Sequence, residues 1–188
     1  MSSSADDTLH EELLPIVDAQ GNVIGRMTRS EAHGGSHTLH PVVHLHLYNS
    51  KGELYLQHRP RWKDIQPDKW DTACGGHVDY GESIAEALHR EVREELGIDL
   101  QQCLAGQVTF VARYVFDSDR ESELVHVHRA TYDGDVKPDA NELDGGRFWT
   151  PAAIEAAMGK GIFTPNFEHE YRRFLRPVYA GIGRFRPI

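Results

Sequence analysis

Residues 76–98 read GHVDYGESIAEALHREVREELGI, and this stretch decides how the rest of the chain is read. Ser83, with Glu86 three residues on, forms a capping box ahead of an apolar stripe of Ile84, Ala85, Leu88, Val92 and Leu96. Gly97 follows as the residue that ends the helix, so the spacing predicts a helix over about 84–96. At 100° per residue Glu91, Glu94 and Glu95 fall on an arc adjoining the stripe, at the rim of the core. Glu91 repels both Glu94 and Glu95 at helical spacing, at about 0.2–0.5 kcal/mol per pair. Arg90 and Arg93 offset this only in part. Two readings follow. The carboxylates form a solvated acidic face, or they converge on a hard cation such as Mg²⁺, which takes oxygen ligands and shares a phosphate. Gly75-Gly76 just upstream favours the second, because a glycine pair lets backbone approach a ligand closely.

Outward from this helix, the chain reads as one compact α/β domain. Residues 1–12 are polar and expected to be flexible, and residues 13–188 form the domain. Ile16-Val17-Asp18 and Val23-Ile24-Gly25 predict an N-terminal hairpin, and His33 to Thr38 a Gly-containing loop. Val42 to Tyr48 alternates, with Val43, Leu45 and Leu47 on one face and His44 and His46 on the other. Further strands are expected over Glu53–Gln57, Val108–Phe116, Glu123–Tyr132 and Phe148-Trp149. One helix is capped by Thr150-Pro151 and stops near Gly159, and a C-terminal helix opens with Thr164-Pro165 and runs until Pro177. The irregular alternation implies a mixed sheet with helices on both faces.

Composition bounds the function. The 188 residues carry 20 Lys+Arg against 29 Asp+Glu, a net charge of −9, which argues against a nucleic-acid or anionic-membrane partner. An anionic substrate must then be met by a few local cations or by bound metal. Cys74 and Cys103 form no disulfide framework. The N-terminus shows no secretory pattern and no apolar run approaches the roughly 20 residues of a membrane span, so the expected compartment is the cytoplasm. The 12 histidines are numerous for this length and matter if they cluster.

Gly76, Glu82, Arg90-Glu91, Glu94-Glu95, Leu96 and Gly97-Ile98 match the Nudix box at every defined position, and the chain resembles that family. The resemblance implies the Nudix α/β/α sandwich and a divalent-metal-dependent hydrolase, with Mg²⁺ or Mn²⁺ as cofactor. Such an enzyme cleaves the phosphoanhydride of a nucleoside diphosphate derivative or related diphosphate, an activated water attacking phosphorus. It further implies metal ligation by Glu91, Glu94 and Glu95 with the Gly76 carbonyl, and a structural Glu82–Arg90 pair. Candidates for the residue that takes the proton are Glu95 and Glu142, with Glu94 also counted in the catalytic set.

Leu54 to Arg59, Trp70-Asp71-Thr72 and Gly75-Gly76-His77 extend the likeness to the isopentenyl-diphosphate isomerase-like branch. In that branch a metal is held by three histidines and two glutamates, which correspond to His33, His40, His77, Glu121 and Glu123 and imply a second divalent-metal site. Arg29, Arg59 and Lys63 match positions that grip a diphosphate, a task that suits guanidinium and ammonium groups. The isomerases' catalytic Cys should directly precede the box glycine. Gly75 stands there instead, and Cys74, one residue earlier, points to the opposite face and is expected to be a buried structural residue. This favours hydrolase over isomerase. The remaining alternative is a non-catalytic nucleotide-binding module, and the chain is expected to be a monomer or homodimer acting on a small-molecule phosphate.

Overall fold

A computed structural model describes residues 11–63, 65–103 and 108–176. The expected flexible terminus lies outside the described residues except for Glu11 and Glu12. Both of these are tied down: Glu11 contacts Ser30, and the Glu12 carboxylate accepts from Arg29 at 2.9 Å. The last stretch of the domain expected over 13–188, residues 177–188, also lies outside.

The predicted hairpin is present as β1 (Leu13–Val17) and β2 (Val23–Thr28). Asp18 shapes its turn by accepting from the backbone N–H groups of Gln20 and Asn22, both at 2.9 Å. A short helix, α1 (Arg29–His33), follows directly, capped by the reciprocal Thr28–Glu31 pair.

The central strand is β3 (Leu39–Tyr48). It pairs antiparallel with β6 (Cys74–His77) and parallel with β8 (Ser122–Thr131), which in turn pairs antiparallel with β7 (Thr109–Asp117). β4 (Leu54–His58) touches β3 only at Leu47 and Tyr48. It then diverges to pair with β5 (Trp70–Asp71) and β9 (Gly146–Trp149), and β6 takes its place beside β3. The expected mixed α/β sheet is thus observed, with a split between β4 and β6.

The registers assign the two faces. His40 opposite Glu123, Val42 opposite His77, and His44 opposite Gly75 lie on one face. Val43 with Gly76 and Leu45 with Cys74 lie on the other. Against that second face packs α2 (Ile84–Leu96), whose Leu88, Val92 and Leu96 are buried among Val43, Leu45, Leu47 and Cys74. Each such side chain contributes about 1.5–3 kcal/mol of apolar burial. Ser83 and Glu86 form the expected capping box, and Gly97 closes the helix at φ 65°, where a side chain would be strained.

The first face is covered by the C-terminal helix. α3 (Pro151–Ala157) precedes it, and α4 (Pro165–Glu170) begins at the Thr164 cap as expected. The expected single helix from Thr164 instead changes pitch, with a π turn over Tyr171–Leu175. Phe167, Tyr171 and Leu175 all lie in the apolar cluster with Leu54, Leu56 and Trp149. No helix among the described residues is long and apolar enough to cross a membrane.

Candidate active site

On the α2 face, Glu91 folds over β6. A side chain at Gly76 would put its Cβ 2.1 Å from the Glu91 Cδ, so it would push the Glu91 carboxylate out of the place it holds over the glycine. Arg90 holds the arrangement from the side. Its Nε and an Nη donate to the two oxygens of Glu82 at 3.0 and 2.9 Å, while the other Nη donates to Glu91 Oε1 at 2.6 Å. A further bond of 3.0 Å reaches the His77 carbonyl, so Arg90 fastens the loop, the strand and the helix together.

Glu95 is drawn towards the same strand. It accepts from the Gly75 N–H at 3.3 Å, and burial, with Glu91 beside it, pushes its carboxyl up to about 7. Glu94 is the exception. Its side chain is 56% exposed and meets only the edge of Arg90 at 3.5 Å. Cys74 is buried in the core beneath Glu95, and burial, then the neighbouring carboxylates, hold its thiol far above the usual range. A sealed, strongly protonated thiol is a packing residue, as expected.

The opposite face gathers the histidines. His33 Nε2 lies 3.2 Å from His77 Nε2 and 3.4 Å from Glu121 Oε2. Two groups, His33–His77–Glu121 and His40–Glu121–Glu123, each bring one ligand atom per residue within 4.8 Å of one another. They share Glu121, so five residues from α1, β3, β6, β8 and the turn just before β8 form one cluster. Among the described residues these are the groups with chelating geometry, and Glu91, Glu94 and Glu95 belong to neither.

The chemistry of this pocket suits a divalent ion. Burial holds His33, His40 and His77 below the usual histidine range, keeping lone pairs free for a metal. His40 Nε2 and Glu121 Oε2 are sealed without a hydrogen-bond partner, an expensive arrangement unless something binds them. Burial likewise pushes Glu123 up to about 7. Clustered carboxylates and imidazoles in that condition want a cation.

The expected diphosphate-binding residues are partly engaged by the protein itself. Arg59 donates to the carbonyls of Ile65 at 2.8 Å and Gln66 at 3.2 Å, and sits 3.4 Å from Asp71. Arg29 pairs with Glu12. Both arginines nevertheless lie close enough to Glu121 to oppose the upward push that burial gives it. Lys63 bridges to Glu142 at 2.5 Å and also lowers Glu95 against burial, so it links the two candidate bases electrostatically.

Several contributors were not evident from the sequence. Glu12 reaches to 3.6 Å from His77 Nδ1, and Asn166 donates to Glu123 at 3.4 Å. Behind the pocket, Glu170 is fully buried and takes hydrogen bonds from His44 Nδ1 at 2.7 Å, His46 Nε2 at 2.5 Å and the Tyr114 hydroxyl at 2.7 Å. The alternation of His44 and His46 on one strand face was the only signal for this network, and it could not reveal a carboxylate more than a hundred residues away.

Comparison with known proteins identifies the family and the fold. The family model of the NUDIX domain matches residues 38–167. An uncharacterized Nudix hydrolase of Nostoc sp. is 33% identical over 152 residues, covering 80% of this chain and 87% of that protein. An isopentenyl-diphosphate Delta-isomerase of Streptomyces avermitilis is 30% identical over 168 residues, 88% of this chain and 84% of that one. A crystal structure from Deinococcus radiodurans superposes with a TM-score of 0.74 at 27% identity, covering 86% of this chain and 98% of that chain. The chain belongs to the Nudix family.

Proposed function

We propose that the protein is a Mg²⁺- or Mn²⁺-dependent hydrolase of a nucleoside diphosphate derivative or related small diphosphate. The observation that carries this reading is the way Glu91 and Glu95 are drawn onto the Gly75-Gly76 strand by Arg90 and the backbone. A solvated acidic face has no need of that arrangement. Glu91, Glu94, Glu95 and the Gly76 carbonyl would hold the catalytic metal, and His33, His40, His77, Glu121 and Glu123 a second divalent ion. When bound, such ions neutralise phosphate charge and make water a better nucleophile.

The chain's own residues do the rest. Arg29, Arg59 and Lys63 bind and orient the diphosphate. A water oxygen attacks phosphorus, the anhydride P–O bond breaks, and a carboxylate takes the water's proton. Glu95 suits this task because burial makes it a stronger base than an ordinary glutamate. Glu142, tied to Lys63, is the alternative base. The test is a panel of nucleoside di- and triphosphates, nucleotide sugars and isoprenoid diphosphates with either metal. Release of phosphate or a monophosphate is expected, and turnover of none of them would overturn the reading.

Isomerisation of an isoprenoid diphosphate is a second reading, favoured by the His/Glu pocket. Gly75 argues against it, since it leaves the position before the box glycine without a thiol. Deuterium exchange into isopentenyl diphosphate, lost in Cys74→Ser, would be required to support isomerisation.

A further inference from the structure

His44 stands beside the His/Glu pocket and is absorbed by neither set of proposed metal ligands. Its Nδ1 is committed to Glu170 at 2.7 Å. Glu170 has no exposure, and its two oxygens already receive His44, His46 and Tyr114, so the carboxylate is an acceptor only. The His44 Nδ1 therefore carries its proton, and the ring is fixed in orientation by a buried partner on α4.

The other edge of the ring faces the strand. Its Cδ2 and Nε2 are the atoms that a side chain at Gly75 would meet, at 3.1 and 3.4 Å. Nε2 has no hydrogen-bond partner among the described residues, and it is not among the polar atoms sealed from solvent. Glu123 and Asp71 both favour positive charge on the ring. Burial works against that charge, but Glu170 outweighs it and raises His44 to about 9. The ring is thus held by Glu170 at 2.7 Å with its Nε2 edge towards Gly75 and unpaired among the described residues, and an imidazolium paired to that buried carboxylate presents Nε2 as an N–H donor.

We propose that His44 is a substrate-binding donor that hydrogen-bonds a diphosphate oxygen through Nε2, with Glu170 as the positioning residue that aims it. The inference rests on the diphosphate-hydrolase reading above. It also explains Gly75: the glycine leaves the space that the His44 ring edge occupies.

The test uses methylenediphosphonate, a diphosphate analogue that cannot be hydrolysed at its bridge, with Mg²⁺ in titration calorimetry. An asparagine amide can reproduce the Nδ1 donor, and a glutamine amide the Nε2 donor. His44→Asn, which keeps a donor to Glu170, should therefore weaken binding by about tenfold, the loss of one charge-assisted hydrogen bond. His44→Gln, which keeps a donor towards the pocket, should retain more of the affinity. A purely structural His44 gives the reverse order, and that order, or unchanged binding in His44→Asn, overturns the proposal. In wild-type protein the His44 Nε2 resonance should shift on adding the analogue, and a fixed resonance in the bound complex overturns it even if the variants fail to fold. Absence of both analogue binding and turnover across the substrate panel removes the underlying reading instead.

Discussion

Glu91 and Gly76 interlock: the carboxylate crosses the glycine so closely that a Cβ there would lie 2.1 Å from its Cδ. The contact joins α2 to β6 and sets where the acidic helix meets the sheet. Gly76→Ala must therefore displace either the strand or Glu91. We expect it to lower kcat/KM by at least about a hundredfold, since misplacing a reacting group by about 1 Å can cost that much. Displacing Glu91 from Arg90 should also cost about 1–3 kcal/mol of stability. Steady-state kinetics and thermal unfolding of the same preparation check both, and near-normal activity would contradict the contact.

Arg90 offers a different kind of change. Lys at this position keeps the charge but loses the fork that serves Glu82, Glu91 and the His77 carbonyl at once. Arg90→Lys should destabilise the protein by about 1–3 kcal/mol, read by urea denaturation. Activity should fall as well, because Glu91 loses its partner.

The buried His44–Glu170 pair predicts a pH dependence of stability. Burial opposes charge on both groups, but each partner outweighs it, raising His44 to about 9 and depressing Glu170 below the usual carboxylate range. The raised His44 contributes stability that is complete below its unfolded value near 6.5 and is lost as pH rises through about 9. The depressed Glu170 contributes stability present above its unfolded value near 4.5 and lost as pH falls through its folded value. Both shifts report one interaction and do not add. Chemical denaturation should show a loss of the order of 3 kcal/mol between pH 6.5 and 9. Glu170→Gln should flatten that slope, and an unchanged slope would contradict the assignment.

Metal affinity separates the two faces. Mn²⁺ titration should detect a site lost in His77→Ala and kept in Glu94→Gln, since His77 belongs to the His/Glu pocket and Glu94 does not. Removing one of three or more ligands should weaken that site by at least about tenfold. Equal loss in both variants would mean that the faces bind metal as one unit.

Much of this was legible because it is local. The capping box at Ser83, the glycine stop at Gly97, the stripe through Leu88 and Val92, and the N-terminal hairpin are written in neighbouring residues. The family box added the glutamates and the Glu82–Arg90 pair. Less legible was whatever depends on tertiary closure. Period-two alternation put His44 and His46 on one face, but Glu170 joins them from α4 across 126 and 124 residues. The divergence of β4 from β3 leaves no local mark either, because each strand is regular on its own. The change of pitch at Tyr171 likewise has no local mark in the helix pattern that opens at Thr164.

The most direct test of the central claim compares wild type with Glu95→Gln on the diphosphate panel in Mg²⁺, following release of phosphate or monophosphate. The account predicts turnover by the wild type, loss of that turnover when the metal is chelated, and a fall of at least about a hundredfold in Glu95→Gln, in line with the contribution of a positioned base. Turnover that survives both chelation and the Glu95 substitution would contradict it.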